Sequence, residues 1–211
     1  MGHAEQRYKN GFPNHKDISL FKTIGNLYGQ LGTGDVLLGL GANVKGAWGV
    51  PSETLARACT ELASADVRPV SVSYLYETPP LGPIVQPNFV NCVLVATVHL
   101  PPLALLSVLK SIERRAGRRG GVAWGPRPLD IDVLDYKKVV GTLRGRAAPG
   151  RKAELVLPHP ELHRRAFVLW PLMDVAPRWH HPVYGLTAKM LLARLEPHKE
   201  RLAPVEITNR S

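Results

Sequence analysis

The sequence predicts an α+β fold, a ferredoxin-like αβα sandwich with a mainly antiparallel central sheet in a single domain. Three observations point to it. Apolar segments of period two alternate with stripes at spacings of 3 and 4 in the order βαββαβ. Two consecutive strands lie close enough in sequence to pair antiparallel. The 211 residues are 45% hydrophobic and 21% charged, without an internal repeat or linker, which suits one sizeable core.

The elements follow in order. Residues 1–35 mix Gly, Asn, Lys and scattered aromatics without a period and read as an extension, partly poorly ordered; the domain runs over 36–200 and a tail over 201–211. Val36 to Asn43 is apolar and ends in small residues, as a buried strand opening into a turn does. Pro51 starts a helix in which Leu55, Ala58, Cys59 and Leu62 form one stripe. Val67 to Tyr76 alternates as a strand and runs into Thr78-Pro79-Pro80-Leu81-Gly82-Pro83, where the prolines forbid helix and central strand alike. Asn88 to His99 is the clearest strand, with Phe89, Asn91, Val93, Val95 and Thr97 on one face. Pro101 and Pro102 open a second helix carrying Leu105, Leu109, Ile112 and Ala116, which ends at Gly117.

The loop Gly117-Arg118-Arg119-Gly120-Gly121 holds three glycines in five residues and is expected to move as a lid. Pro128 to Tyr136 is a strand, and Lys137 to Lys152 a basic hairpin insertion. Beyond it the chain resumes as Leu155 to Leu157, a short helix over Glu161 to Pro171, and a last helix from Thr187 to Leu195.

Charge narrows the function. The chain has 27 basic and 17 acidic residues, and Lys110 to Arg165 alone holds 14 basic and 6 acidic ones, so an anionic ligand is expected there. No apolar run approaches the ~20 residues needed to cross a bilayer, and the polar Met1 to Asn10 is no export signal. Cys59 and Cys92 lie in apolar segments without metal-ligand spacing, which fits free thiols and a cytoplasmic protein.

Asp130-Ile131-Asp132 lies on a strand, so both carboxylates share a face while Leu129, Ile131 and Val133 point to the core. Two such acids repel unless a cation neutralises them, and hard oxygen donors suit Mg²⁺ with phosphate oxygens. A bare DxD is more often a pair of solvated acids; Arg118, Arg119 and Arg127 beside this one favour metal-assisted phosphate chemistry. Asp135, an odd step away, is expected on the opposite face. His159, His163, His180 and His181 make a weak zinc pattern, since Pro160 disfavours helix at His159 and no HExxH occurs. There is no P-loop, and Gly39-Leu40-Gly41 lacks the third glycine of a dinucleotide turn. A nucleic-acid-binding module is disfavoured because aromatics are 7% and do not interleave with the basic run. A magnesium nuclease or nucleotidyltransferase would need a third acid, which Asp135 fits poorly.

Trp124-Gly-Pro-Arg127-Pro-Leu-Asp130-Ile-Asp132 resembles the signature of the 6-hydroxymethyl-7,8-dihydropterin pyrophosphokinases of folate biosynthesis. Glu77 to Pro83, Gln86 to Asn91, Ile112-Glu113, Gly117-Arg118, Leu157 to Pro160 and Arg165 to Leu172 follow in that family's order. The resemblance implies transfer of pyrophosphate from ATP to the hydroxymethyl oxygen of the pterin, with release of AMP. It further implies two Mg²⁺ ions on Asp130 and Asp132, and Arg118 and Arg127 joining those acids as catalytic groups. Glu113, Arg118, Trp124, Arg127, His159 and Arg165 would serve ATP, and Thr78, Pro79, Pro80, Leu81, Phe89, Asn91 and Phe167 the pterin. The expected partners are these small molecules, with no nucleic acid and no membrane, on a monomer. The chain departs from the family in Gly41-Ala42-Asn43 for Gly-Ser-Asn, in Phe89 for a frequent Tyr, and in a catalytic loop one residue shorter. That last departure leaves the second loop arginine open between Arg119 and a position this chain lacks. Thirty-five residues before the domain are also too few for the aldolase or synthase domain sometimes fused to this enzyme.

Overall fold

The computed structural model describes residues 35–120, 124–148 and 151–195. The expected extension, apart from Asp35, and the tail over 201–211 lie outside the described residues. Asp35 itself opens the first strand.

A sheet forms in the order β2-β4-β1-β5 from β1 (Asp35–Ala42), β2 (Val67–Val72), β4 (Phe89–Val98) and β5 (Asp130–Tyr136), all antiparallel to their neighbours. The short β3 (Tyr76–Thr78) pairs with the start of β4. Helices α1 (Pro51–Ala63) and α2 (Pro102–Arg115) cover one face, burying Leu55, Leu62, Leu105 and Ile112 against Leu38, Leu40, Leu94 and Ile131. Helices α3 (Ala166–Val175) and α4 (Ala188–Ala193) cover the other, packing Leu169, Leu172 and Leu191 on Leu37, Val93, Val95 and Leu134. The sandwich is the one expected. The hairpin β6 (Gly141–Ala148) with β7 (Arg151–Leu157) stands apart from the main sheet, with Leu155 and Leu157 buried in the core under α1 and α2.

Local chemistry corrects three expectations. The strand expected over Val67 to Tyr76 is interrupted at Ser73, whose hydroxyl donates to its neighbour Tyr74's carbonyl (2.8 Å) and accepts from the Val93 N–H (2.9 Å), a side-chain bond that competes with the ladder. The helix expected over Glu161 to Pro171 becomes a 3₁₀ turn (Leu162–Arg164) and then α3, because Arg165 is extended (φ −104°, ψ 99°). Asp135 is not on the opposite face: the β1–β5 register shifts between Leu37 and Leu38, and Asp135 accepts from the indole of Trp179 (2.7 Å) in the α3–α4 layer.

Cys59 and Cys92 are free and buried; burial pushes the Cys59 thiol up to about 12, so neither is a poised nucleophile. The four histidines separate. His163 and His181 pack edge to face in a ring cluster with Trp179 and Tyr184, while His159 turns to β5. His181 is 3% exposed and its Nε2 has no hydrogen-bond partner among the described residues. Burial, with the nearby His163, holds its pKa below the usual histidine value. The folded chain therefore favours the neutral ring, so this contribution to stability is whole above pH ~6.5 and is lost as pH falls below it. His181→Phe is expected to show a smaller drop in denaturant midpoint between pH 7.5 and 5.5 than the parent chain; an equal drop would refute this.

Candidate active site

The floor of the site follows from the pleat of β1. Its residues facing the α3 layer are Leu37, Gly39 and Gly41, so the side chains stop after Leu37 and leave bare backbone. Gly41 lies between Asn91 on β4 and Asp130 on β5, and Gly39 between Val93 and Asp132. An amide and two carboxylates thus flank a bare strip, with Asn91 and Asp130 two strand spacings, about 10 Å, apart. A cavity of about 380 Å³ opens over this floor. Thr78, Pro79, Leu81, Phe89, Asn91, Trp124, Arg127, Asp130, Asp132, His159, Arg165 and Phe167 all line it. Arg118, Glu113 and Pro80 do not line it, and Arg119 is exposed on the loop.

One end is built for an uncharged ring edge. Asn91 is buried, and its Nδ2 donates to Thr78 Oγ1 (2.8 Å). That bond fixes the amide, with Oδ1 directed over Gly41. Phe89 and Phe167 supply aromatic walls, from the sheet and from the first turn of α3.

The other end is ionic. Asp130 Oδ1 accepts from Arg118 Nη1 in a very short contact, and Asp130 Oδ2 accepts from Arg127 Nη1 at 2.5 Å. Burial opposes ionisation of Asp130, but the two guanidinium groups outweigh it and hold the carboxyl below its usual range. Asp132 is more open, with Arg165 Nη1 at 3.5 Å and His159 Nε2 at 3.8 Å. His159 Nδ1 accepts from the Glu161 N–H (3.1 Å), so the proton of the neutral ring sits on Nε2, toward Asp132. Burial lowers the pKa of His159, favouring that neutral form. Arg165 also lies 5.7 Å from the centre of the Phe167 ring.

Arg118 is aimed by the end of α2. Gly117 takes φ +100°, its N–H bonds to the Arg114 carbonyl (3.1 Å), and the Arg118 N–H bonds to the Glu113 carbonyl (3.0 Å): a Schellman turn, which needs glycine at that position. Glu113, 2% exposed, also accepts from Arg118 Nη1 (2.8 Å), Lys110 Nζ (2.7 Å) and the Ile131 N–H between the two aspartates (2.8 Å). Burial raises its pKa despite the cations. A buried acid thus sits behind the site and ties α2, the loop and β5 together.

Sequence reading missed Gly39, Gly41, Asn43 and Gln86. Buried Asn43 donates to Gln86 Oε1 (2.9 Å) and the Pro87 carbonyl (3.1 Å) and accepts from the Arg127 N–H (2.7 Å). Gln86 donates to the Trp124 carbonyl (2.7 Å). The glycine floor had a legible signal, two glycines at i and i+2 within an apolar strand. The Asn43 contacts span 43 to 84 residues and leave no local pattern, only the place of Asn43 and Gln86 in segments that resemble the family.

Comparison with known proteins adds to this geometry. Residues 37–177 match the profile of a family described as 7,8-dihydro-6-hydroxymethylpterin-pyrophosphokinase. A protein of Methylorubrum extorquens named 2-amino-4-hydroxy-6-hydroxymethyldihydropteridine pyrophosphokinase is 39% identical over 161 residues, covering 76% of this chain and 92% of its own. One of the same name from Pseudomonas aeruginosa is 43% identical over 112 residues, 53% of this chain and 64% of its own. The folate synthesis bifunctional protein of Arabidopsis thaliana is 45% identical over 103 residues, 49% of this chain but 17% of its own. This chain thus matches under two-thirds of the length of the latter two. Among solved structures, wild-type Plasmodium falciparum HPPK-DHPS with pteroate aligns at a TM-score of 0.57 and 16% identity, over 75% of this chain and 42% of that one, a likeness of fold.

Proposed function

We propose, because this chain belongs to the 7,8-dihydro-6-hydroxymethylpterin-pyrophosphokinase family, that it transfers pyrophosphate from ATP to 6-hydroxymethyl-7,8-dihydropterin and releases AMP, a step of folate biosynthesis. The hydroxymethyl oxygen forms a bond to the β-phosphorus, the bond from that phosphorus to the α,β-bridging oxygen breaks, AMP leaves with that oxygen, and the hydroxyl proton passes to solvent. The observation that carries this reading is the row Asn91, Gly41, Asp130 across three adjacent strands: an amide that reads a heterocycle edge faces an acid pair across a gap sized for a bicyclic ring and its short arm.

The donor set fits magnesium. Among the described residues no group of three or more His, Cys, Asp or Glu could hold a metal, and Mg²⁺ is characteristically held by one or two carboxylates together with substrate phosphates. Asp130 and Asp132 would hold two such ions. When bound, they neutralise charge on the phosphoryl oxygens and assist departure of AMP.

The chain's own groups do the rest. Phe89 and Phe167 stack the pterin, Asn91 Oδ1 accepts from its edge, and the Thr78 to Leu81 segment closes that side. Arg127, Arg165 and His159 face the triphosphate, Arg118 adds its charge from behind Asp130, and half-exposed Trp124 stands at the rim. Glu113 acts through Arg118 and the Ile131 N–H. A loose phosphoryl-transfer transition state asks little of the nucleophile before bond cleavage, so alignment and charge suffice without a strong base. No helix among the described residues is long and apolar enough to cross a membrane, and two free thiols fit a cytoplasmic setting.

The test is AMP release from ATP and Mg²⁺ with and without the hydroxymethyl pterin. AMP and a diphosphorylated pterin are expected only when the pterin is present. Formation of ADP, or AMP release indifferent to the pterin, would overturn the assignment.

A further inference from the structure

Both oxygens of the Asp130 carboxylate are engaged, Oδ1 by Arg118 and Oδ2 by Arg127. Asp130 is 20% exposed against 36% for Asp132, whose own cationic contacts are long. A cation approaching this acid therefore competes with a guanidinium at either oxygen, for the lone pairs and against the positive charge. The two arginines differ in what awaits them. Arg118 reaches Asp130 from behind the cavity and keeps a second carboxylate, Glu113 Oε2, at 2.8 Å, together with its Schellman tether to the same residue. Arg127 lines the cavity, so once released it turns toward whatever fills that space.

We propose that Arg118 and Arg127 are placeholder cations that neutralise Asp130 until a metal takes it, and that Glu113 is the positioning residue that receives Arg118 on displacement. The inference rests on the reading that Asp130 binds metal. Its consequence is a coupling. Metal alone competes with two guanidinium groups, of which Arg118 has Glu113 to fall back on and Arg127 is turned into the cavity. Metal arriving with a nucleotide brings phosphate oxygens that accept Arg127 and offset the charge of both arginines. Each ligand then raises the affinity for the other, by the same factor.

The test is binding of Mn²⁺, followed by the paramagnetic signal of the free ion, to the full chain alone and with α,β-methylene-ATP, which cannot be cleaved at the reacting bond. Arg127→Gln and Arg118→Gln are expected to tighten Mn²⁺ binding without nucleotide by about tenfold and to reduce the enhancement that the analogue gives. Glu113→Gln, which withdraws the alternative partner of Arg118, is expected to weaken Mn²⁺ binding without nucleotide several-fold. The exposed Arg119→Gln removes the same charge from the same loop and is expected to change it less than about twofold. Unchanged or weaker binding in the Arg127 variant, or equal tightening in the Arg119 variant, overturns the placeholder role. Asp130→Asn separates the two readings: if it leaves Mn²⁺ binding intact, the metal assignment itself fails; if it weakens binding while Arg127→Gln tightens none, only the coupling fails. Near-ultraviolet circular dichroism on each variant establishes that the comparison is between folded chains, and any variant that does not fold passes its part of the test to the other arginine.

Discussion

Asp130→Ala and Asp132→Ala will each lower pterin-dependent AMP release by about 10³-fold or more, the size seen when a preorganised charge is taken from a site that stabilises developing charge. The two variants will differ in stability. Asp130 anchors Arg118 and Arg127, so its removal strands Arg127 and leaves Arg118 to Glu113 alone, and at these exposures the loss is about 1 kcal/mol, or 2–4 °C in Tm. Asp132 makes contacts of only 3.5 and 3.8 Å, and Asp132→Ala will unfold within about 1 °C of the parent. Thermal unfolding beside the AMP assay checks both halves. Equal Tm losses would mean that the arginine pairs contribute nothing, and substantial AMP release from either variant would remove that acid from the machinery.

The second large effect is at the opposite end of the cavity. A Cβ on Gly41 would stand 2.7 Å from Asn91 Oδ1, closer than side-chain atoms tolerate, and Asn91 cannot swing aside without breaking its bond to Thr78. Gly41→Ala will therefore raise KM for the pterin by about 10²-fold, the usual penalty for displacing a positioning group by ~1 Å, and leave KM for ATP within about twofold. Gly39→Ala is the matched control. The atoms nearest its Cβ would be the flexible end of Leu134 at 3.3 Å, so several-fold loss is the most expected. Equal effects of the two substitutions, or a rise in KM for ATP in Gly41→Ala, would show that the floor does not discriminate between substrates.

How much of this could be read from the chain depends on the range of the interaction. Asp130 and Asp132 share a face because strand period is local, and the apolar stripes of α1 and α2 are as local as their spacing. Asp135 was misread because one residue's register shift against Leu37 turned it toward Trp179, and a shift of that kind depends on the partner strand. Glu113 illustrates the limit best. Its place after Ile112 suggested a nucleotide contact by resemblance alone, yet it is buried behind β5 and its partners among the described residues are Arg118, Lys110 and a backbone N–H. Nothing in local pattern distinguishes an acid that touches a ligand from one that holds the residue that does.

The pair of anchors around the catalytic loop has a consequence for how this chain can vary in length. Arg118 is fixed at the near end by the helix-terminating turn at Gly117, and Arg127 at the far end by the amide of Asn43. Insertions or deletions between them are absorbed in the span that joins the two pins. The register of β5, and with it the spacing of the acids, is insulated from such changes.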